Sequence, residues 1–194
     1  MEKVRCGWAN GSPDYVEYHD NEWGQPIRED VALFERLSLE AFQSGLSWIT
    51  VLSKREAFRE VFGGFNPESV ASMSEKQVSA LLLDARIIRH RGKIEATIAN
   101  ARALLGHWES HGEGWLSQTL SVHAPTDASL AAQGFIRPPV NLSDLPSRCE
   151  ETTALAKELK RGGFVFLGPT TLYAALQATG FVADHVVECH LYGG

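Results

Sequence analysis

Glu40-Ala41-Phe42-Gln43-Ser44-Gly45-Leu46-Ser47-Trp48-Ile49-Thr50-Val51 sets a carboxylate, an amide and an indole within about two or three helical turns, broken by Ser-Gly-Leu-Ser where one helix can end and another begin. Upstream of the break, Val31, Phe34, Leu37 and Ala41 recur at three- and four-residue steps behind an acidic opening turn, which predicts a helix over 29–43. Downstream, 47–62 reads as a second helix stopped by Gly63-Gly64. Polar and aromatic groups on a helix-breaking loop make a candidate pocket. Taken alone, the stretch also fits a solvated Glu40 and a core Trp48, since tryptophan is highly buried on average.

Helical punctuation continues outward in both directions. Pro67 to Met73 predicts a short helix, and Ser74-Glu75-Lys76-Gln77 fits a capping box opening another. Ile94, Ile98, Ala101 and Leu105 line one face of a further helix. Glycines and prolines punctuate 106–146, predicting long loops with short helices around Trp115 and Leu130. Thr152 to Arg161 and Thr170 to Thr179 read as helices around Gly162-Gly163 and Gly168-Pro169, and a last helix is expected from Asp184, a natural N-cap. The first 25 residues, rich in aromatics, read as an ordered loop with one helical turn. No strand alternation is sustained, so the predicted class is all-α.

At 194 residues the chain has room for one sizeable core and reads as a single domain. Three cysteines, an odd number, point away from a disulfide framework, and with no spanning apolar run or leader pattern they predict a cytoplasmic protein without a membrane partner. Monomer is the default state. The net charge of −6 weighs against broad nucleic-acid binding, yet Arg86, Arg89, His90, Arg91 and Lys93 form one basic cluster and Lys157, Lys160 and Arg161 another. Either run also fits a solvated helix face.

Three constellations carry chemistry. Cys6 and His19 near one end, with His185 and Cys189 four residues apart near the other, make a Cys2His2 set, the ligand count of a closed zinc site. The spacing is far too long for a zinc finger, and His190 could replace His185. Leu167-Gly168-Pro169-Thr170-Thr171 puts a turn before a helix N-terminus, where free N–H groups can hold a phosphate. Gly168, Thr170, Lys160 and Arg161 are the candidate DNA contacts, reading backbone rather than sequence. Trp8, Tyr15, Tyr18, Trp23, Glu40 and Trp48 form an aromatic-acidic set suited to stacking on a flipped base and accepting from its exocyclic amine. A core with exposed tyrosines is the competing reading of that set.

Five separated motifs resemble, in order, the DNA-3-methyladenine glycosylase I family: 5–8, Tyr15 to Gly24, Leu39 to Trp48, Ile87 to Lys93 and Asp184 to Cys189. The resemblance covers about 5–105 and 155–190. It implies a helix-hairpin-helix fold with the hairpin at roughly 150–190, and one structural zinc per chain on Cys6, His19, His185 and Cys189. It also implies a 3-methyladenine pocket of Tyr18, Glu40 and Trp48, walled by Trp8, Tyr15 and Trp23. Glu40 is the catalytic candidate, with recognition and proton transfer both open. The implied substrate is double-stranded DNA carrying alkylated bases and the product free 3-methyladenine. Related hairpin glycosylases carry an aspartate where Ala183 stands, so the reaction implied is monofunctional, leaving an abasic site. Two departures stand out. Arg86 occupies a position where the family has glycine, which predicts an altered turn, and 147–152 adds acidic residues where phosphate would lie. The alternatives are a non-catalytic, zinc-stapled damaged-DNA-binding module and a glycosylase of shifted lesion range.

Overall fold

One helix, α2 (Asp30–Gln43), has ten of its fourteen residues buried, including Leu33, Phe34, Leu37, Leu39 and Phe42. A helix apolar on most sides must be surrounded, and the others wrap it. The computed structural model describes residues 3–193, and among these the chain is helical with no strand. In chain order the other helices are α1 (Pro13–Asn21), α3 (Trp48–Leu52), α4 (Arg55–Val61), α5 (Pro67–Ala71), α6 (Glu75–Leu81), α7 (Arg91–His111), α8 (Trp115–Val122), α9 (Asp127–Ala132), α10 (Glu150–Arg161) and α11 (Pro169–Ala178). Helix α11 packs on both α2 and α10, and α7 packs against α5, α2 and α8. Phe58, Phe62, Phe65, Leu172 and Leu176 share the central cluster with α2. No helix among the described residues is long and apolar enough to cross a membrane.

Three charged side chains of α2 are buried, and each meets a different answer to the desolvation this imposes. The Asp30 carboxylate accepts from Trp108 Nε1 (2.7 Å) and from the backbone N–H groups of Gly114, Leu116 and Ser117 (3.0, 3.1 and 2.8 Å). It thereby caps α8, whose N-cap Gly114 has no side chain to do so.

The break after α2 forms as predicted, with Gly45 at φ +82°. Its carbonyls are held from a distance: Lys93 Nζ, buried at the start of α7, donates to Phe42 O (2.9 Å) and Ser44 O (2.6 Å). A cation on the last carbonyls of a helix opposes their partial negative charge.

Four expectations need correction. The first 25 residues hold more helix than one turn, because Ser12 caps α1 by accepting from Tyr15 N–H and Pro13 fills its first position. The helix expected over 47–62 is two, α3 and α4, parted at Lys54, whose ammonium reaches the carbonyls of Ala85 and Arg86. Helix α7 runs through Gly106 to His111, where a loop was expected. No helix starts at Asp184: its carboxylate is buried against Arg137, Tyr173 Oη (2.9 Å) and Gln177 Nε2 (2.7 Å), so it has no oxygen to spare for a cap. The altered turn expected at Arg86 stays tight by another route, since Asp84 Oδ1 accepts from the Arg86 backbone N–H (2.9 Å).

Candidate functional site

A cleft of about 330 Å³ opens beside the end of α2, lined by Trp8, Tyr15, Tyr18, Trp23, Glu40 and Trp48, with Gln43, Ser47, Leu145, Ala174 and Gln177 completing it. All six residues of the aromatic-acidic set are therefore brought together. Helix α1 supplies Tyr15 and Tyr18 three residues apart on one face. The Tyr15 hydroxyl accepts from Ile49 N–H (3.0 Å), tying α1 to the first turn of α3. Tyr18 and Trp48 sit with ring centroids 5.4 Å apart at 43°, while Trp8 stands edge-on to Tyr15 at 5.8 Å.

Glu40 is 5% exposed, yet its carboxylate accepts no hydrogen bond from a protein group among the described residues, and Arg36 Nη1 lies 3.8 Å from Oε1. Burial pushes its pKa up to about 7 against the pull of Arg36. The Trp48 indole Nε1 is a buried donor without a partner. An unpaired acceptor and an unpaired donor on one small cleft fit a ligand with a polar edge and flat faces, because buried polar groups otherwise remain at a cost.

Behind this wall lies the Cys/His cluster. The ligand atoms of Cys6, His19, His185 and Cys189 all lie within 4.8 Å of one another. Cys6 Sγ is 3.6 Å from His185 Nδ1, and Cys189 Sγ is 3.5 Å from His19 Nε2 and 3.4 Å from His185 Nδ1. Sulfur and nitrogen ligands at zinc distances and tetrahedral angles stand about 3.5 Å apart, so this donor set could hold a metal ion of that size. The outer groups suit the same purpose: Asp20 Oδ1 lies 2.9 Å from His19 Nδ1, with Asp20 held by Arg5 (2.7 Å), and the Trp23 backbone carbonyl bonds the His185 ring. Burial pushes the Cys6 thiol up to about 12 and the His185 imidazole down to about 4, so the rings are neutral donors and a thiolate here requires a cation beside it. His190, the looser alternative, points its Nδ1 at the Val4 carbonyl (2.9 Å) instead. His185 and Cys189 meet through a turn, Cys189 N–H bonding Val186 O, rather than along a helix. The cage abuts the cleft wall: Trp23 stacks edge-on against His185 at 4.7 Å and Trp8 against His19 at 5.3 Å.

The predicted DNA contacts lie elsewhere. Lys160 and Gly168 line a groove of about 620 Å³ with Ser44, Val165, Phe166 and Thr171. Arg161 joins Lys157, Lys160 and His123 on an adjoining hollow. Thr170 is exposed in the first turn of α11 but does not line the groove. Phe166, at φ +60°, is an exposed bulky residue in the left-handed region; Asn100 clamps its neighbour by accepting from Val165 N–H (2.7 Å) and donating to Val165 O (3.1 Å). Glu151, among the added acidic residues, accepts from Gln133 (2.9 Å) and is held down to about 2 against its burial by hydrogen bonds from Ser129 and Gln133.

Sequence reasoning pointed to the Gln43 amide as part of the pocket stretch without assigning it to the site, and it missed Arg36, Ser47, Leu145, Ala174 and Gln177. Arg36 had a signal, standing one helical turn before Glu40. Leu145 and Gln177 had none, since they come from remote segments.

The family model described as methyladenine glycosylase matches residues 8–192. DNA-3-methyladenine glycosylase 1 of Escherichia coli (strain K12) is 46% identical over 192 residues, covering 98% of this chain and 97% of that protein. DNA-3-methyladenine glycosylase of Haemophilus influenzae (strain ATCC 51907 / DSM 11121 / KW20 / Rd) is 41% identical over 188 residues, covering 96% of each. A solved structure of 3-methyladenine DNA glycosylase I from Staphylococcus aureus, concerned with 3-methyladenine recognition, is similar with a TM-score of 0.86 at 34% identity, covering 98% of this chain and 97% of that one.

Proposed function

The chain belongs to the methyladenine glycosylase family, and on that footing we infer that it is a base-excision repair glycosylase hydrolysing the N-glycosidic bond of 3-methyladenine in alkylated DNA. The observation that carries the reading is that Tyr18, Glu40 and Trp48 line one cleft with the carboxylate open to it. A 3-methylated adenine in DNA is cationic and a good leaving group. As its bond to the sugar breaks, the bonding electron pair stays with the base and neutralises it. Water adds its oxygen to the sugar carbon, its proton passes to solvent, and an abasic site remains. Tyr18 and Trp48 offer ring faces to the flipped base, Trp8, Tyr15 and Trp23 wall it, and Glu40 accepts from its exocyclic amine. No lysine nucleophile is needed. Asp184, locked by Arg137 and Tyr173, has no free oxygen to serve one.

One zinc per chain, held by Cys6, His19, His185 and Cys189, completes the proposal. Bound there it supplies folding energy, since four protein ligands leave no position for a reacting water. Two zinc-bound thiolates suit a reducing cytoplasm. The chain acts as a single domain in which α10 and α11 form the helix-hairpin-helix element, with Lys160, Arg161, Gly168 and Thr170 on the phosphates of duplex DNA.

Release of free base from methylated duplex DNA, separated by chromatography and identified by mass, tests the reading beside Glu40→Gln and Trp48→Ala proteins. The parent releases 3-methyladenine and both variants lose it. A folded, zinc-loaded parent that releases nothing above buffer returns the chain to a binding-only role.

A further inference from the structure

Arg36 is a guanidinium with almost no water. It is 6% exposed, on the same face of α2 as Glu40, and among the described residues its one short polar contact is to the Tyr18 hydroxyl, to which Nη1 donates at 2.8 Å. Its centre stands 5.3 Å from the Tyr18 ring centroid and 5.0 Å from that of Trp48, both within cation–π range. One side chain thus touches all three residues assigned to the base, while standing outside the cleft lining itself. We propose that Arg36 is a positioning residue that favours the ionised, hydrogen-bond-accepting form of the Glu40 carboxylate and fixes the Tyr18 hydroxyl as a donor. The proposal rests on the base-excision reading of the cleft.

Two physical arguments carry it. A buried carboxylate without a hydrogen bond from the protein takes up a proton unless a cation stands close, and Arg36, 3.8 Å away, is the cation that does so. A guanidinium has only donors, so the Tyr18 oxygen must accept from it, leaving the phenolic hydrogen to point elsewhere. Tyr18 and Trp48, which both line the cleft, then carry two hydrogen-bond donors beside one charged acceptor. The groups facing this centre include Arg36 on the helix of Glu40, Tyr18 from α1, and Glu22 just past α1, which is occupied by Arg55 of α4 through a bond of 2.9 Å and a shorter one. Trp48 of α3 and Gln177 of α11 are uncharged. Because the guanidinium offsets Glu40, the cleft distinguishes bases by the pattern of their polar edge more than by their net charge.

The test compares the parent with Arg36→Met, Arg36→Gln and Arg36→Lys. The first two remove the charge, Gln keeping a donor for Tyr18 should Met fail to fold, and Lys restores a cation. Carbon-13 NMR of glutamate-labelled protein follows the Glu40 carboxyl, identified by its absence in Glu40→Gln. Tryptophan fluorescence follows binding of free 3-methyladenine across the same pH range. In the two uncharged variants the carboxyl midpoint rises by about one pH unit or more and base binding near neutral pH weakens about tenfold, a difference that closes as pH rises. In Arg36→Lys the midpoint stays near the parent's. An unchanged midpoint in Met and Gln, or binding weakened by one factor at every pH, overturns the proposal. A midpoint that shifts as expected in a protein that binds no 3-methyladenine supports the hold of Arg36 on Glu40 and sinks the base-excision reading instead.

Discussion

Glu40→Gln should make the protein more stable relative to the parent as pH rises, while abolishing base release. The Glu40 carboxyl has a usual pKa of 4.5 and is raised by burial to about 7 in the fold. A raised carboxyl contributes stability below its unfolded value, where both states hold the proton. That contribution is lost as pH rises through the folded value, because only the folded chain must bury the charge. The full shift corresponds to about 3 kcal/mol at about pH 8, against under about 1 kcal/mol at about pH 5. Glutamine carries no charge to bury. It also leaves Arg36 without its carboxylate, but that attraction exists only where Glu40 is ionised and is already contained in the folded value of about 7. The change in the stability difference between the two pH values, about 2–3 kcal/mol, therefore belongs to the carboxylate. At roughly 2–4 °C per kcal/mol for a chain of this size, the melting temperature of Glu40→Gln gains about 5–10 °C on the parent over that interval. Thermal melts of both zinc-loaded proteins at the two pH values read this directly, and metal loss affects both alike. A melting difference that stays constant with pH, or that moves in favour of the parent, would falsify the account of Glu40 as a carboxylate held against its own desolvation.

Cys189→Ala should remove the metal and lower the melting temperature. Elemental analysis of freshly purified parent should give one zinc per chain, and a metal-free parent of unchanged stability rules the staple out. Lys160→Ala should weaken binding to duplex DNA by a similar factor for every sequence and reduce the slope of log affinity against log salt by about 1, as expected of a single phosphate contact. A slope equal to the parent's would place Lys160 off the DNA.

Where local chemistry and packing agree, the sequence is legible. Helix α2 combines a 3.6-residue apolar period with a glycine stop, and the capping box at Ser74 forms as expected, Gln77 Oε1 accepting from the Ser74 N–H (2.9 Å) and Ser74 Oγ from the Gln77 N–H (3.4 Å). The Ser12-Pro13-Asp14 start of α1 was present too, but aromatic residues around it obscured the period. Asp184 misleads for a physical reason: its cap propensity is overruled by Arg137, 47 residues away in the chain, and by Tyr173. All six residues of the aromatic-acidic set, and the four Cys/His residues that could hold a metal, are legible by chemical type and lie together. Arg36 was passed over because a charge on an amphipathic helix ordinarily faces water, and only the complete surround of α2 turns it inward.

The edge-on contacts of Trp8 and Trp23 with His19 and His185 bear on the order in which the molecule can be made. Cys189 lies 170 residues beyond His19, and the cage closes that loop. During synthesis the cleft's aromatic wall leaves the ribosome early, but the partners that seat it emerge only after every helix from α1 to α11 has been made. A nascent chain therefore has no finished pocket to close on a base. Competence to excise waits on the residues around His185 and Cys189 rather than arriving with the bulk of the helices.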